Sequence, residues 1–303
     1  KNRKIFILIT DLNLSDKEAE YIEDRIDEDE HNIHIQLLDH HITGESVSKK
    51  FSWYYLFDGK SATQITYEYL KKNFGFGEYE TEELEKFVVS VNALDIWLQE
   101  TGEPFEYGKV MMRLISSARE LNKMMFPDED NEYKRFILEE AKKIYSQDHK
   151  RNDIFLDDQI HHIKKRFFKK DEDDTFDNLI TEYIVNLLTK DKEFFTVKYK
   201  GYKGIFTFML GNTSIIGNGF LSKNPDYHFF IDSSPKGNIS FRANGGVDVA
   251  IMAKEIGSGG GHKNASGGKI KAFRESFTYL KAKEIIQGVF YEKEYTTDIL
   301  KRI

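Results

Sequence analysis

The sequence predicts an α/β protein built in two parts, and three observations carry that prediction. A strand–helix–strand pattern opens the chain, a long charged helical stretch follows, and the last third turns to strands punctuated by glycine. The 303 residues suffice for two hydrophobic cores. With 40% hydrophobic and 31% charged residues, the composition is that of a soluble globular chain, not a disordered one. No cysteine is present, which excludes disulfides and zinc–thiolate sites and fits a reducing cytoplasm. No apolar run approaches the roughly 20 residues of a membrane span, so no membrane partner is expected. A net charge of −7 argues against a protein that grips long duplex nucleic acid by its phosphates.

Taken in order, "KIFILIT" (4–10) is an apolar strand ending at Asp11. Ser15 and Glu18 have capping-box spacing for a helix over about 16–30. "NIHIQLL" (32–38) is a second strand, followed at once by Asp39, His40 and His41. A helix between two such strands predicts a parallel pair, and parallel sheets collect ligands at the carboxyl ends of their strands. Asp11 and the Asp-His-His triplet are therefore expected at one edge.

"GKSATQITYEYLKKNFG" predicts the next helix, with Ser61 as N-cap, Gln64 completing a capping box and Gly75 as the stop. Another helix is expected over 81–99. There Val88, Val91, Asp95 and Leu98 recur at helical spacing, which puts Asp95 on the apolar stripe. Residues 106–190 read as charged helices joined by loops such as "DHKRND" and "KKDEDDTFDN", with no catalytic pattern. The expected division is 1–150 for the first domain, 151–190 for a helical connector and 191–303 for a compact α+β domain.

In that last part "EFFTVKYKGYKGIFTFML", "TSIIGNGFLS", "YHFFIDSS" and "ISFRA" read as strands, and "GVDVAIMAKEI" as a helix. "GSGGGHKNASGG" (257–268) reads as a glycine-rich loop before a strand "KIKAF" and a closing helix from about 275.

Two constellations carry chemistry. Carboxylates and imidazole from Asp11, His40 and Asp95 suit Mn²⁺, Fe²⁺ or Zn²⁺ better than Ca²⁺ or Mg²⁺. The bland alternative is a turn-capping Asp39, surface histidines and an Asp95 paired with lysine. Neighbours on extended backbone point opposite ways, so His40 and His41 are expected to do different work: one binds metal, the other reaches the phosphate or a residue behind the metal ligands. Asp39 is expected to orient a histidine. In the second constellation, consecutive glycines let backbone N–H groups approach an anion, and His262 and Lys263 add donors. Arg242 offers a fork for phosphate, with a surface strand arginine as the alternative. Tyr227, Phe229 and Phe230 are expected in the core.

Asp11 after "IFILIT", Asp39-His40-His41, Asp95 in "NALDIW", and "SFRAN…DVAIMAKEIGSGGGHKNASGG" together resemble the DHH phosphoesterases that carry a DHHA1 substrate-binding domain. The likeness is strongest to the bacterial nano-RNases, especially the B type. It implies a parallel-sheet DHH domain joined by helices to a smaller DHHA1 domain. It also implies a two-manganese site, with Mg²⁺ or Fe²⁺ as substitutes: Asp11 as the bridging carboxylate, His40 and Asp95 as further ligands, and His41 beside the scissile phosphate with Asp39. Arg242, Gly259, Gly260, Gly261, His262, Lys263 and Asn264 match the substrate grip. The family's first motif, His-x-Asp-x-Asp-Gly, precedes the Asp11 strand and has no counterpart from Lys1 onward; truncation or disorder of an upstream segment is expected over true loss of the motif.

The activity so implied is metal-dependent hydrolysis of very short single-stranded RNA to 5′-nucleoside monophosphates in the cytoplasm, by a chain for which a homodimer is allowed. Rival expectations are a 3′-phosphoadenosine 5′-phosphate phosphatase, a cyclic-(di)nucleotide phosphodiesterase and a catalytically inactive RNA-binding relative.

Overall fold

The computed structural model describes residues 4–28, 32–145, 147, 149–169, 173–271, 273 and 278–302. They form two compact units, one of residues 1–117 with 137–161 and the other of 118–136 with 162–303. The helices expected as a connector are therefore shared out between the two units.

The first unit opens with β1 (Ile5–Thr10), α1 (Asp16–Glu28) and β2 (Ile33–Asp39). The capping box of α1 forms as expected: the Ser15 N–H donates to Glu18 Oε2 at 2.8 Å, and the Glu18 N–H returns to Ser15 Oγ at 3.4 Å. A one-turn helix α2 (Glu45–Ser48) leads to β3 (Tyr54–Leu56), a strand too short to announce itself in sequence. The sheet is parallel throughout, in the order β1-β2-β3, with Ile5 opposite Ile33 and Leu38 opposite Tyr55. One face packs Leu37 and Tyr54 against Ala19, Val47 and Trp53. The β1 edge leaves Ile5, Phe6 and Ile7 exposed.

Helices α3 (Ala62–Asn73), α4 (Glu82–Asp95), α5 (Glu103–Ser116), α6 (Pro127–Tyr145), α7 (Asn152–Phe168) and α8 (Phe176–Lys190) follow. Ser61 caps α3 by accepting from the Gln64 N–H. The reciprocal half of the expected box is not made by Gln64, whose side-chain amide donates to Glu68 instead. Asn92 of α4 accepts the Ser61 N–H at 2.8 Å, so a tertiary contact replaces the local one. Parts of the loops expected at "DHKRND" and "KKDEDDTFDN" lie outside the described residues.

After the short α9 (Lys192–Phe195), the second unit builds a six-stranded sheet from β4 (Thr196–Tyr199), β5 (Tyr202–Phe208), β6 (Phe229–Ser233), β7 (Asn238–Ala243), β8 (Ser258–His262) and β9 (Ala265–Lys269), in the order β4-β5-β6-β7-β9-β8. Helix α10 (Thr213–Lys223) lies between β5 and β6, α11 (Val249–Ile256) between β7 and β8, and α12 (Tyr279–Arg302) closes the chain.

Three expectations fail here. "TSIIGNGFLS" is helix α10, not a strand: Ile216 with Phe220, and Gly217 with Leu221, are buried at helical spacing, and that periodicity overrides the strand preference of its β-branched residues. The glycine stretch is no loop but the β8–β9 hairpin, closed by Lys263 and Asn264. "KIKAF" is not a separate strand, since β9 ends at Lys269; Ala272 and residues 274–277 lie outside the described residues.

The hairpin explains its glycines locally. A Cβ on Gly259 would sit 2.2 Å from the Gly267 carbonyl oxygen, whereas one on Gly260 would meet only the end of Lys254, at 3.9 Å. Gly259→Ala is therefore expected to destabilise the protein by about 1–3 kcal/mol through forced overpacking. Gly260→Ala should stay within about 0.5 kcal/mol. Urea unfolding followed by circular dichroism measures both, and equal losses at the two positions would contradict this account.

Candidate active site

Where β1 ends, Asp11 continues the ladder by donating its N–H to the Leu38 carbonyl at 3.0 Å, then turns with φ +59°. Aspartate tolerates this left-handed conformation better than most side chains. The turn leaves the Asp11 carboxylate exposed beside the tip of β2. His40 and His41 follow the last β2 residue, outside the strand, so strand alternation does not separate them. Their rings lie 4.4 Å apart, against the expectation that they point opposite ways.

His40 Nε2 lies 3.4 Å from Asp11 Oδ1 and 3.4 Å from Asp95 Oδ2. His41 Nδ1 lies 3.9 Å from the same Asp11 oxygen. Ligand atoms of Asp11, His40 and His41 all come within 4.8 Å of one another, and Asp95 joins through His40. The lysine partner considered for Asp95 is not found among the described residues.

Asp95 differs from expectation in one respect: it is the last residue of α4 and is 40% exposed, so it does not lie in the apolar core. The helix ends just beyond it. Trp97 adopts φ +62°, its N–H donates to Leu94, and the Leu98 N–H donates to the Ala93 carbonyl at 2.7 Å. This is the Schellman pattern with a tryptophan where glycine is usual. Edge-on packing of Trp97 against Phe105 accompanies it, with centroids 5.2 Å apart. A carboxylate at the C-terminal end of a helix faces the negative pole of the macrodipole.

Asp39 is fully buried and binds neither Asp11 nor Asp95. Its Oδ1 bonds His41 Nδ1 at 2.7 Å and its Oδ2 accepts from the Tyr54 hydroxyl at 2.8 Å. Burial alone would raise the Asp39 carboxyl, but the bonds from His41, Tyr54 and the backbone outweigh it and hold the group below the usual carboxylate range. The same bond pushes the His41 imidazole above its ordinary value, with burial acting against it. Burial, then Asp39, pushes the Tyr54 phenol up.

Sequence reasoning missed Tyr54 and Gly44. A Cβ on Gly44 would lie 2.1 Å from the Tyr54 hydroxyl oxygen, so glycine is what lets that hydroxyl reach Asp39. No local motif signals either residue.

Two carboxylates and an imidazole converging on one point could hold a divalent cation of the Mn²⁺ or Fe²⁺ kind, which would offset the repulsion between Asp11 and Asp95.

In the second unit, Arg242 on β7 is half-buried against Gly217 of α10, and its guanidinium donates to Ser214 Oγ and to the Phe241 carbonyl. His262, Lys263 and Asn264 sit exposed at the hairpin tip. The tip is fastened from behind: the Lys263 carbonyl accepts from the Val249 N–H at 2.9 Å and the Asn264 carbonyl from the Ala243 N–H at 3.0 Å. Gly259, Gly260 and Gly261 lie on β8, at the edge of the sheet. Tyr227, Phe229 and Phe230 are fully buried core, as expected.

A DHHA1 domain model matches residues 220–288. Over 295 residues the chain is 43% identical to a 3′,5′-cyclic-nucleotide phosphodiesterase of Helicobacter pylori (strain ATCC 700392 / 26695), covering 96% of this chain and 84% of that protein. The chain belongs to the DHH/DHHA1 phosphoesterase family. A crystal structure of an uncharacterized protein from Helicobacter pylori G27 is 42% identical and superposes with a TM-score of 0.87, covering 96% of this chain and 84% of that one. This DHH/DHHA1 protein is thus a hydrolase of the phosphodiesterase kind. No helix among its described residues is long and apolar enough to cross a membrane.

Removing the Tyr54 hydroxyl leaves a buried carboxylate short of a donor. Tyr54→Phe should cost about 1–3 kcal/mol at pH 7. Because the Asp39 carboxyl is depressed in the folded state, its contribution is present above the unfolded value near 4 and is lost as pH falls through the folded one. The cost of Tyr54→Phe should therefore shrink below about pH 4, as measured by urea unfolding at both pH values. A cost independent of pH would contradict the role given to Asp39.

Proposed function

We propose that the chain hydrolyses 3′,5′-phosphodiester bonds in very small nucleotide substrates, releasing 5′-nucleoside monophosphates. Two substrate classes share that bond and that product: very short single-stranded RNA and 3′,5′-cyclic mononucleotides. The observation that carries the reading is the approach of Asp11 and Asp95 to the same His40 nitrogen. Short RNA follows from the resemblance of the motifs to nano-RNases. Cyclic nucleotides follow from the activity named for the 43% identical relative.

Asp11, His40 and Asp95 would hold the divalent ion, Mn²⁺ first, with Asp11 available to bridge to a second. When bound, such ions supply positive charge to the phosphate oxygens and lower the pKa of water. The remaining roles belong to this chain's side chains. His41, with Nδ1 held by Asp39, keeps Nε2 for a phosphate oxygen or the leaving 3′-oxygen. The bond to Asp39 raises its pKa, toward the protonated, donating form. Asp39 keeps that ring oriented. Arg242 forks onto phosphate, while His262, Lys263, Asn264 and the backbone of Gly259, Gly260 and Gly261 hold the rest of the substrate.

Asp95→Ala should abolish Mn²⁺-dependent turnover while leaving the unfolding of the second unit unchanged; turnover like wild type would remove Asp95 from the site. His262→Ala should raise KM on di- to pentanucleotides, with metal content by mass spectrometry unaltered. A matched panel of short RNA, 3′,5′-cyclic AMP, cyclic dinucleotides and 3′-phosphoadenosine 5′-phosphate ranks the substrates. Binding of RNA without turnover on any of them would favour the non-catalytic reading.

A further inference from the structure

We infer that the first unit carries a second nucleotide pocket, on the face of β2 opposite Leu37, suited to a nucleoside monophosphate. The inference goes beyond the proposed reaction and does not depend on it. The pocket, of about 560 Å³, lies between the β2–β3 edge and α3. Its volume is that of a small-molecule site.

Strand geometry decides which residues line it. Leu37 and Tyr54 face the core, so Gln36 and Leu38 of β2, and Tyr55 opposite Leu38, face the pocket. Tyr55 is 50% exposed and Phe57 41% exposed, large aromatic surface on residues whose backbone is anchored. Tyr55 sits in the β3 ladder, and the Phe57 N–H donates to the Asp39 carbonyl at 3.0 Å. Exposed rings carried on fixed backbone are stacking platforms for a planar ligand.

The polar groups specify the rest of the ligand. Gln36 donates through Nε2 to the Trp53 and Leu37 carbonyls at 3.0 and 3.2 Å, which leaves Oε1 as an acceptor. Glu68 is ionised: burial opposes this, but Lys60, at 2.7 Å from both oxygens, and Gln64 hold its carboxyl below the ordinary range. Lys60 and Glu68 cancel in charge. Lys72 remains, exposed and with no ion pair among the described residues. Stacking faces, acceptors for N–H groups and one uncompensated cation describe a nucleobase carrying a single phosphate.

The test is calorimetric titration of the full chain with AMP, in EDTA so that metal-dependent binding does not contribute. AMP should bind saturably, Lys72→Ala and Tyr55→Ala should each weaken that binding about tenfold or more, and ribose 5-phosphate should bind wild type about tenfold more weakly than AMP. Arg242→Ala should leave this binding within about twofold. AMP binding that is absent, is unchanged in Lys72→Ala, is matched by ribose 5-phosphate, or is abolished by Arg242→Ala would overturn the assignment. Should Tyr55→Ala unfold the short β3 strand, Lys72→Ala, on the exposed face of α3, decides alone.

Discussion

Like charge at close quarters is the constraint around which the first unit is arranged. Asp11 and Asp95 come from a strand tip and a helix end far apart in sequence, yet both reach the same nitrogen of His40. Neither location favours a carboxylate by itself. Asp11 requires a left-handed backbone, and Asp95 stands at the negative end of α4, next to a tryptophan that also takes positive φ. Local costs that accumulate around one point are a mark of function more than of stability.

The third carboxylate solves a different problem. Asp39 is more buried than its neighbours, and it takes its donors from the protein: Tyr54 from β3 and His41 from the following turn. A fully buried carboxylate with these bonds fixes one ring nitrogen of His41 and so determines which nitrogen is left for chemistry. Gly44 is part of the same device, because a single methyl there would collide with the Tyr54 hydroxyl. Phe57 ties the arrangement to the outer strand through the Asp39 carbonyl. The tip of β2 is therefore braced by its own side chain, by its backbone and by the residue that β3 brings beside it.

In the second unit, glycine serves geometry before it serves any ligand. Gly259 and Gly268 face each other across the hairpin, and Gly261 runs at φ +146° close to Ala265 and Ser266. The close approach of two backbones accounts for these glycines without reference to anions. What the hairpin then offers is a rigid tip, fastened to β7 and to the start of α11, with three polar side chains exposed on it. Rigidity, not looseness, suits such a tip to substrate binding.

Much of the candidate site was legible in the sequence because its carboxylate and imidazole residues fall at element ends. A run of apolar β-formers that stops at an aspartate or at Asp-His-His places those groups at the carboxyl end of a parallel sheet without any coordinates. The long DHHA1 motif identified the second unit in the same way. Short-range pattern failed where tertiary contacts supply the partner: Asn92 in place of Gln64 at the α3 cap, Tyr54 beneath Asp39, and helix α10 in place of a strand. The sequence by itself determined the classes of element and the chemistry at their ends, since both are set by neighbours along the chain. Only the tertiary structure decided which oxygen meets which nitrogen and which glycine is indispensable, because hydrogen bonds and close packing depend on tenths of an ångström between residues that the chain keeps far apart.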